Sequence, residues 1–263
     1  MSDTTALGDR MKTYERVTRT TLPRRTYTIV RVDGRCFRTF LRHAEKPYDD
    51  AVVFAMDAVG KALCKQMSGA AFAYTQSDEC SVLLTDFATA QTQPWFGGVV
   101  QKIASVAASI AAVAFNEQYG LDYDDATATF DGRVFTIPDA QEVAAYFLWR
   151  QRDCVRNSIT MAAQAHYSHQ QLHRKTTSDM QEMLWSEHRI NWDHYPAEVK
   201  RGRVCVRRAS LEDIIYTDQR TQQETETQAM RSTWQIQAAP SFTADPAGWL
   251  VNEIPTRPSA TTS

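Results

Sequence analysis

The stretch that decides the fold is residues 70–85, AAFAYTQSDECSVLLT. Two apolar runs, 70–74 and 80–85, flank the polar tip Thr75-Gln76-Ser77-Asp78-Glu79, which reads as two strands joined in a hairpin. Upstream lies a second strand signal, 27–34, YTIVRVDG, whose β-branched and aromatic run stops at Asp33-Gly34. Between them Val52, Met56, Val59 and Leu63 recur at helical steps, which predicts an amphipathic helix over 52–67. Downstream, 98–119 is an Ala-rich helix, and Phe130-Asp131-Gly132-Arg133-Val134-Phe135 reads as a strand interrupted by a tight feature. Strand, helix, hairpin, helix, strand is a βαββαβ order. It predicts an α+β, ferredoxin-like fold, an antiparallel sheet with helices on one face.

Farther out, Asp139 is placed to cap a third helix, with Glu142 three residues on completing a capping box. That helix is expected to run past Trp149 into Ala162-Ala163. A fourth is expected over 178–187, after the cap candidates Thr176 and Thr177. The first ten residues are polar and expected to be loose. From about 239 the composition turns to Pro, Thr, Ser and Ala, and 239–263 is expected to be a flexible tail. The division that follows is a core over 1–138, a helical and basic C-terminal portion of the same unit over 139–238, and the tail.

The chain has 263 residues, 43% of them hydrophobic and 23% charged, as in ordinary globular proteins. Its net charge of −2 excludes a globally basic nucleic-acid binder, so any RNA contact must rest on local cationic patches. Five cysteines without a C-x-x-C pair predict reduced thiols in a cytoplasmic setting, with neither a disulfide framework nor a cysteine zinc site. Residues 1–10 lack the apolar region of a secretory signal. The small-residue run 103–115 is too short to span a membrane.

The carboxylates stand out by position. Asp33 ends the first strand and Asp78 tips the hairpin, and in a βαββ unit those two places are neighbours. Paired carboxylates suit Mg²⁺, a hard cation held by one or two carboxylates together with substrate phosphates. On spacing alone the same residues also satisfy turns, for which Asp, Ser and Gly have local reasons. After Asp33 come Gly34, Arg35, Cys36, Phe37 and Arg38, with Lys46 beyond, a glycine and cations suited to a triphosphate. Arg150, Asp153 and Asn157 share one face of the third helix, and Arg152 and Arg156 share another. These read either as a surface that tracks phosphates or as one stitched by ion pairs. A second basic cluster is Lys200-Arg201-Gly202-Arg203 with Arg207 and Arg208. His166, His169 and His173 follow at helical spacing, but surface histidines explain them better than a metal site.

Taken together, the segments RVDGRCF (31–37), KPYD (46–49), AYTQSDECS (73–81), FDGRV (130–134) and WRQRDC (149–154) resemble the tRNA(His) guanylyltransferase family of 3′-to-5′ polymerases. The pieces fall in the family's order across about residues 11–210. The resemblance implies a palm-like catalytic domain. It implies that Asp33 and Asp78 hold two Mg²⁺ ions with the Gly34 carbonyl, and that Glu79 is the acid beside the second. It implies a nucleotide site built from Gly34, Arg35, Cys36, Phe37, Arg38, Lys46 and Ser77. Lys102, Arg133, Arg150, Asp153, Arg156 and Asn157 would meet the tRNA 5′ end or its phosphates. ATP or GTP would activate the end and nucleoside triphosphates would be added, by a homotetramer built as a dimer of dimers and without a membrane.

One departure carries information. Where eukaryotic members have H-I-N-N-L-Y-N, this chain has Val155-Arg156-Asn157-Ser158-Ile159-Thr160-Met161. That resembles the "-like" branch of bacteria, archaea and phages, which implies template-directed repair of truncated tRNA 5′ ends rather than addition of a single guanylate to tRNA(His). Arg38 stands where a histidine is common. The competing readings are a non-catalytic RNA-binding sheet, which has no use for two strand-end carboxylates, and a palm-fold nucleotide cyclase, which would act without RNA.

Overall fold

The expected βαββαβ unit is the centre of the molecule. A computed structural model describes residues 5–120, 126–217, 220, 224–242 and 248–257. Strand β1 (Tyr27–Gly34) leads through a short helix, α2 (Phe37–Phe40), to α3 (Asp50–Gln66), and then to the hairpin β2 (Ala70–Gln76) and β3 (Glu79–Leu84). Helix α4 (Val100–Tyr119) and strand β4 (Phe130–Ile137) complete it. The strands pair antiparallel in the order β4-β1-β3-β2, to which β5 (Arg203–Thr217) and β6 (Glu224–Ala238) are added at the β2 edge.

Strand alternation sorts the side chains into two layers. Val30, Val32, Ala73, Cys80, Val82 and Leu84 pack against Met56, Val59 and Leu63 of α3 and Ile103, Ala107 and Phe115 of α4. Tyr27, Ile29, Phe72, Tyr74 and Leu83 face the other way, against Val143, Phe147 and Cys154 of α5 (Ala140–Gln164). The two palm helices thus share one face as expected, and the C-terminal helical portion covers part of the other. Each fully buried Leu, Ile or Phe in these layers contributes about 1.5–3 kcal/mol.

Local chemistry sets the helix ends. Asp49 accepts from Ala51 N at 2.9 Å, so α3 starts two residues before its first periodic apolar residue. Asp139 accepts from Glu142 N at 2.9 Å and starts α5. Beyond it, α6 (His169–Leu172) and α7 (Thr177–His188) join the end of α5 in a third cluster around Leu184, in which Ile159, Ala162, Tyr167 and Met180 are buried, and α8 (Ala197–Arg201) leads into β5. Thr176 caps α7 through a reciprocal pair with Asp179.

Three expectations are corrected. Residues 6–17 form helix α1 (Ala6–Val17), capped by the Thr5 hydroxyl, although none of its side chains is buried. The expected flexible tail is packed in its described part. Ala239, Phe242, Leu250 and Ile254 are buried beside α5, Trp249 of α9 (Trp249–Glu253) stacks on Phe242 at 5.5 Å, and Tyr27 Oη donates to Pro255 O at 2.8 Å. Four apolar side chains outweigh the Pro- and Thr-rich composition around them. The rest of that expectation, 243–247 and 258–263, lies outside the described residues, as do residues 1–4. Finally, β5 and β6 form a long hairpin where only helical and basic sequence is foreseen.

Candidate functional site

Backbone pairing brings the two aspartates together. β1 and β3 align Asp33 opposite Glu79, and the β2–β3 connection is the two-residue turn Ser77-Asp78, with Ser77 at φ +46°. Gly34 N donates to Asp78 O at 3.0 Å, tying the end of β1 to that turn. On its other side β1 aligns Asp33 with Asp131 of β4. The glycine is dictated by packing, since a Cβ at Gly34 would lie 2.3 Å from the buried Phe37 ring. Gly132 has a similar reason, because its Cβ would meet the Ala104 carbonyl oxygen at 2.3 Å. The tight feature foreseen in 130–135 is therefore close helix contact along an unbroken strand.

Charge at this end of the sheet is unevenly balanced. Burial lifts the Asp33 carboxyl above its ordinary value; Asp131 adds to the lift, and Arg31, Arg133 and Arg150 oppose it. Burial lifts Asp78 too, and the negative charges of Asp33 and Glu79 push it further, against hydrogen bonds from its own backbone and Ser77. Arg133 Nη2 stands 3.8 Å from Asp33 Oδ2, and its Nε is 3.4 Å from Asp131.

Glu79 is in a different situation. Arg150 grips it with two hydrogen bonds, Nε to Oε1 at 2.8 Å and Nη2 to Oε2 at 2.7 Å, and Arg31 Nε lies 3.7 Å away. Burial pushes the Glu79 carboxyl up, and Arg150 and Arg31 oppose that shift. Burial would lower the Arg150 guanidinium, but Glu79 and Asp153 overcome this and hold it above its ordinary value. Arg150 also bonds Asp153 at 2.8 Å, and Asp153 takes Arg156 on its other oxygen. Glu79 is thus held by two direct hydrogen bonds from Arg150, whereas Asp33 faces Arg133 at 3.8 Å.

The remaining candidates separate into groups. Lys46, Ser77 and Asn157 line one cleft between the palm and α5, with Tyr48, Asp49, Gln76 and Met161. Arg35 and Cys36 line another cavity with Thr39, Phe40, Arg42 and Tyr119. Cys36, at φ +57°, turns the chain from β1 into α2, where Phe37 is buried and Arg38 exposed. Arg150, Asp153 and Arg156 gather with Glu79 and Arg31. Lys102 is exposed on α4, in the helix layer across the sheet from α5.

The second basic cluster is largely consumed inside the fold. Lys200 and Arg203 are buried against Asp193 and Asp57, and Arg208 pairs with Glu253 at 2.6 Å. His166 lies beyond the end of α5 while His169 begins α6, so the three spaced histidines do not share one helix. No group of three or more His, Cys, Asp or Glu side chains that could hold a metal occurs among the described residues. Sequence reasoning assigned no role to Arg31 or Tyr146. Arg31 shares the face of Asp33 by strand alternation, a signal the sequence carried, whereas the 2.8 Å contact between Tyr146 Oη and Ser81 Oγ needed the path of α5.

Comparison with known proteins fits this geometry. The family described as tRNAHis guanylyltransferase matches residues 8–138, and the Thg1 C terminal domain matches residues 141–241. The tRNA(His) guanylyltransferase of Debaryomyces hansenii is 30% identical over 69% of this chain and 74% of its own. A bacterial tRNA(HIS) guanylyltransferase (Thg1)-like protein solved in complex with ATP superposes with a TM-score of 0.77 at 39% identity, covering 90% of this chain and 94% of that one. The corresponding complex with GTP gives 0.71 at 37% identity, with the same coverage. No helix among the described residues is long and apolar enough to cross a membrane. The palm-like sheet, the matched segments and these relatives together establish the chain as a nucleotidyltransferase that belongs to the tRNA(His) guanylyltransferase family.

Proposed function

We propose that the protein extends tRNA 5′ ends in the 3′-to-5′ direction, with Mg²⁺ at Asp33 and Asp78, and that it repairs truncated ends by copying the opposing strand. The observation that carries this reading is the Gly34–Asp78 backbone bond, which holds two incompletely neutralised carboxylates beside each other.

The donor set fits magnesium. Asp33, Asp78 and the Gly34 carbonyl offer hard oxygens, and burial, with neighbouring negative charge added, lifts both carboxyls, a cost that a divalent cation offsets. When bound, such ions supply charge neutralisation at the attacking and leaving oxygens of a phosphoryl transfer. The chain's own residues do the rest by position. Arg35, Arg38 and Lys46 are exposed cations on the segment that follows β1, of the kind a nucleoside triphosphate needs, although Arg35 and Lys46 line separate cavities. Ser77 and Asn157 line the cleft that contains Lys46. Arg133, beside Asp33, and Arg156, beside Asp153, are both exposed and offer cations to RNA phosphates.

ATP and GTP as activating and added nucleotides are supported by the two structures of a bacterial (Thg1)-like protein solved in complex with them. Activation of a 5′-monophosphate by ATP or GTP joins a nucleoside monophosphate to it and releases pyrophosphate; the 3′-hydroxyl of the incoming nucleotide then attacks the 5′ phosphate of the RNA and displaces that nucleoside monophosphate. The repair reading rests on Val155 in place of the eukaryotic histidine. A homotetramer belongs to the same reading and is measured by light scattering.

The test is a tRNA lacking its first nucleotide, with the opposing base varied. We expect the nucleotide added in Mg²⁺ to follow pairing with that base. Addition of guanylate whatever the opposing base overturns the repair reading, and ATP or GTP turnover to a cyclic product without RNA overturns the polymerase reading.

A further inference from the structure

We propose that Trp149 is a stacking platform for the base at the 5′ end of the RNA, an inference that rests on the RNA-directed reading above. Arg31, Asp33 and Arg133 share one face of the sheet, because β1 pairs Arg31 with Arg133 and with Ser81. Helix α5 crosses that face, touching it through Tyr146 at Ser81 and Arg150 at Glu79. Tyr146, Trp149, Arg150, Asp153 and Arg156 follow at steps of three and four along one side of α5, so they form a wall beside a floor that ends at the aspartates.

On that wall Trp149 is anomalous. It is 53% exposed, while its neighbours Tyr146, Arg150 and Asp153 are committed to partners. The Arg150 guanidinium carbon lies 4.4 Å from its ring centroid and the Tyr146 ring lies 6.0 Å away, so the indole is braced by a residue that itself grips Glu79. Brought to solvent in this way, a large aromatic surface is ordered before any ligand arrives.

The surroundings choose the occupant. Arg133 on the floor and Arg156 on the wall are 54% and 61% exposed at the side chain, a charge pattern that suits a phosphate backbone. Cations along a groove with an open aromatic surface are how single-stranded nucleic-acid ends are held, since every base has a face to stack.

The experiment uses the full chain and a tRNA transcript lacking its first nucleotide, with 2-aminopurine at the new 5′ end. Binding to the wild type is expected to quench the probe. W149A is expected to lose the quench and bind the RNA about 5- to 100-fold more weakly, with ATP affinity and thermal midpoint unchanged. W149F is expected to keep the quench and bind within about threefold of wild type, because a benzene ring still stacks. Should W149A fail to fold, W149F and W149L make the same comparison of aromatic against aliphatic. Equal quench and affinity in W149A, equal loss in W149F and W149A, or no RNA binding by the wild type overturns the inference. Binding needs no turnover. A wild type that quenches the probe through Trp149 yet adds no nucleotide therefore refutes the polymerase reading and leaves the stacking inference standing.

Discussion

Arg150 and Glu79 are joined by two buried hydrogen bonds, 2.8 and 2.7 Å long, between the middle of α5 and the first residue of β3. The pair fastens α5 to the hairpin that carries Asp78. Replacing Arg150 by Met leaves a buried carboxylate whose closest remaining cation is Arg31, at 3.7 Å. Such a loss costs about 3–5 kcal/mol. In urea titrations R150M should lose that much stability, and adding E79Q should restore a substantial part of it. A double variant no more stable than R150M contradicts the pairing.

Asp33→Asn and Asp78→Asn preserve shape while removing one charge each. Both should reduce nucleotide addition by more than about 100-fold, the scale of losing one preorganised charge-stabilising group, with the circular dichroism spectrum unchanged. Near-normal labelling of a truncated tRNA by either variant rules out the carboxylate assignment.

The same carboxylates set a pH trend. Asp33 and Asp78 have folded-state pKa values raised by burial, so their contribution to stability is complete below the unfolded carboxylate range. It is lost as pH rises through the higher folded values. In metal-free protein the thermal midpoint of D78N should therefore gain on that of wild type from about pH 4 upward. Mg²⁺ should narrow the gap by stabilising the wild type alone. A gap that shrinks as pH rises contradicts the sign.

Gly132 tests the contact between β4 and α4. An added methyl would sit 2.3 Å from a backbone carbonyl oxygen, which cannot rotate away. G132A should cost about 1–3 kcal/mol in a denaturant titration, and a neutral substitution would mean that the helix stands farther off.

Leu250 tests the C-terminal segment. Its side chain is 2% exposed within the cluster around Phe147. L250A should cost about 2–5 kcal/mol, which a loose tail does not.

The βαββαβ core was legible because its signals are local. Val52, Met56, Val59 and Leu63 repeat at helical steps, and the apolar runs on either side of Ser77-Asp78 leave little choice but a hairpin. The proximity of Asp33 and Asp78 followed from topology. The long hairpin was not legible, because among the described side chains of β5 only Val204, Cys205 and Val206 belong to the core clusters. Past them Leu211 and Ile215 are exposed and charged residues intervene, so no period of two marks a buried face. Trp249 and Leu250 were hidden by a composition that resembles a disordered tail. The commitment of Glu79 to Arg150 depends on where a long helix crosses a sheet, which no short window records.

The bond from Gly34 to the Asp78 carbonyl uses main-chain atoms alone. It asks for no particular side chain at position 78, whereas position 34 must stay glycine because a Cβ there would meet the buried Phe37 ring. A tie made of peptide groups survives exchange of the Asp78 side chain, so variants at that position keep the end of β1 fastened to the hairpin turn.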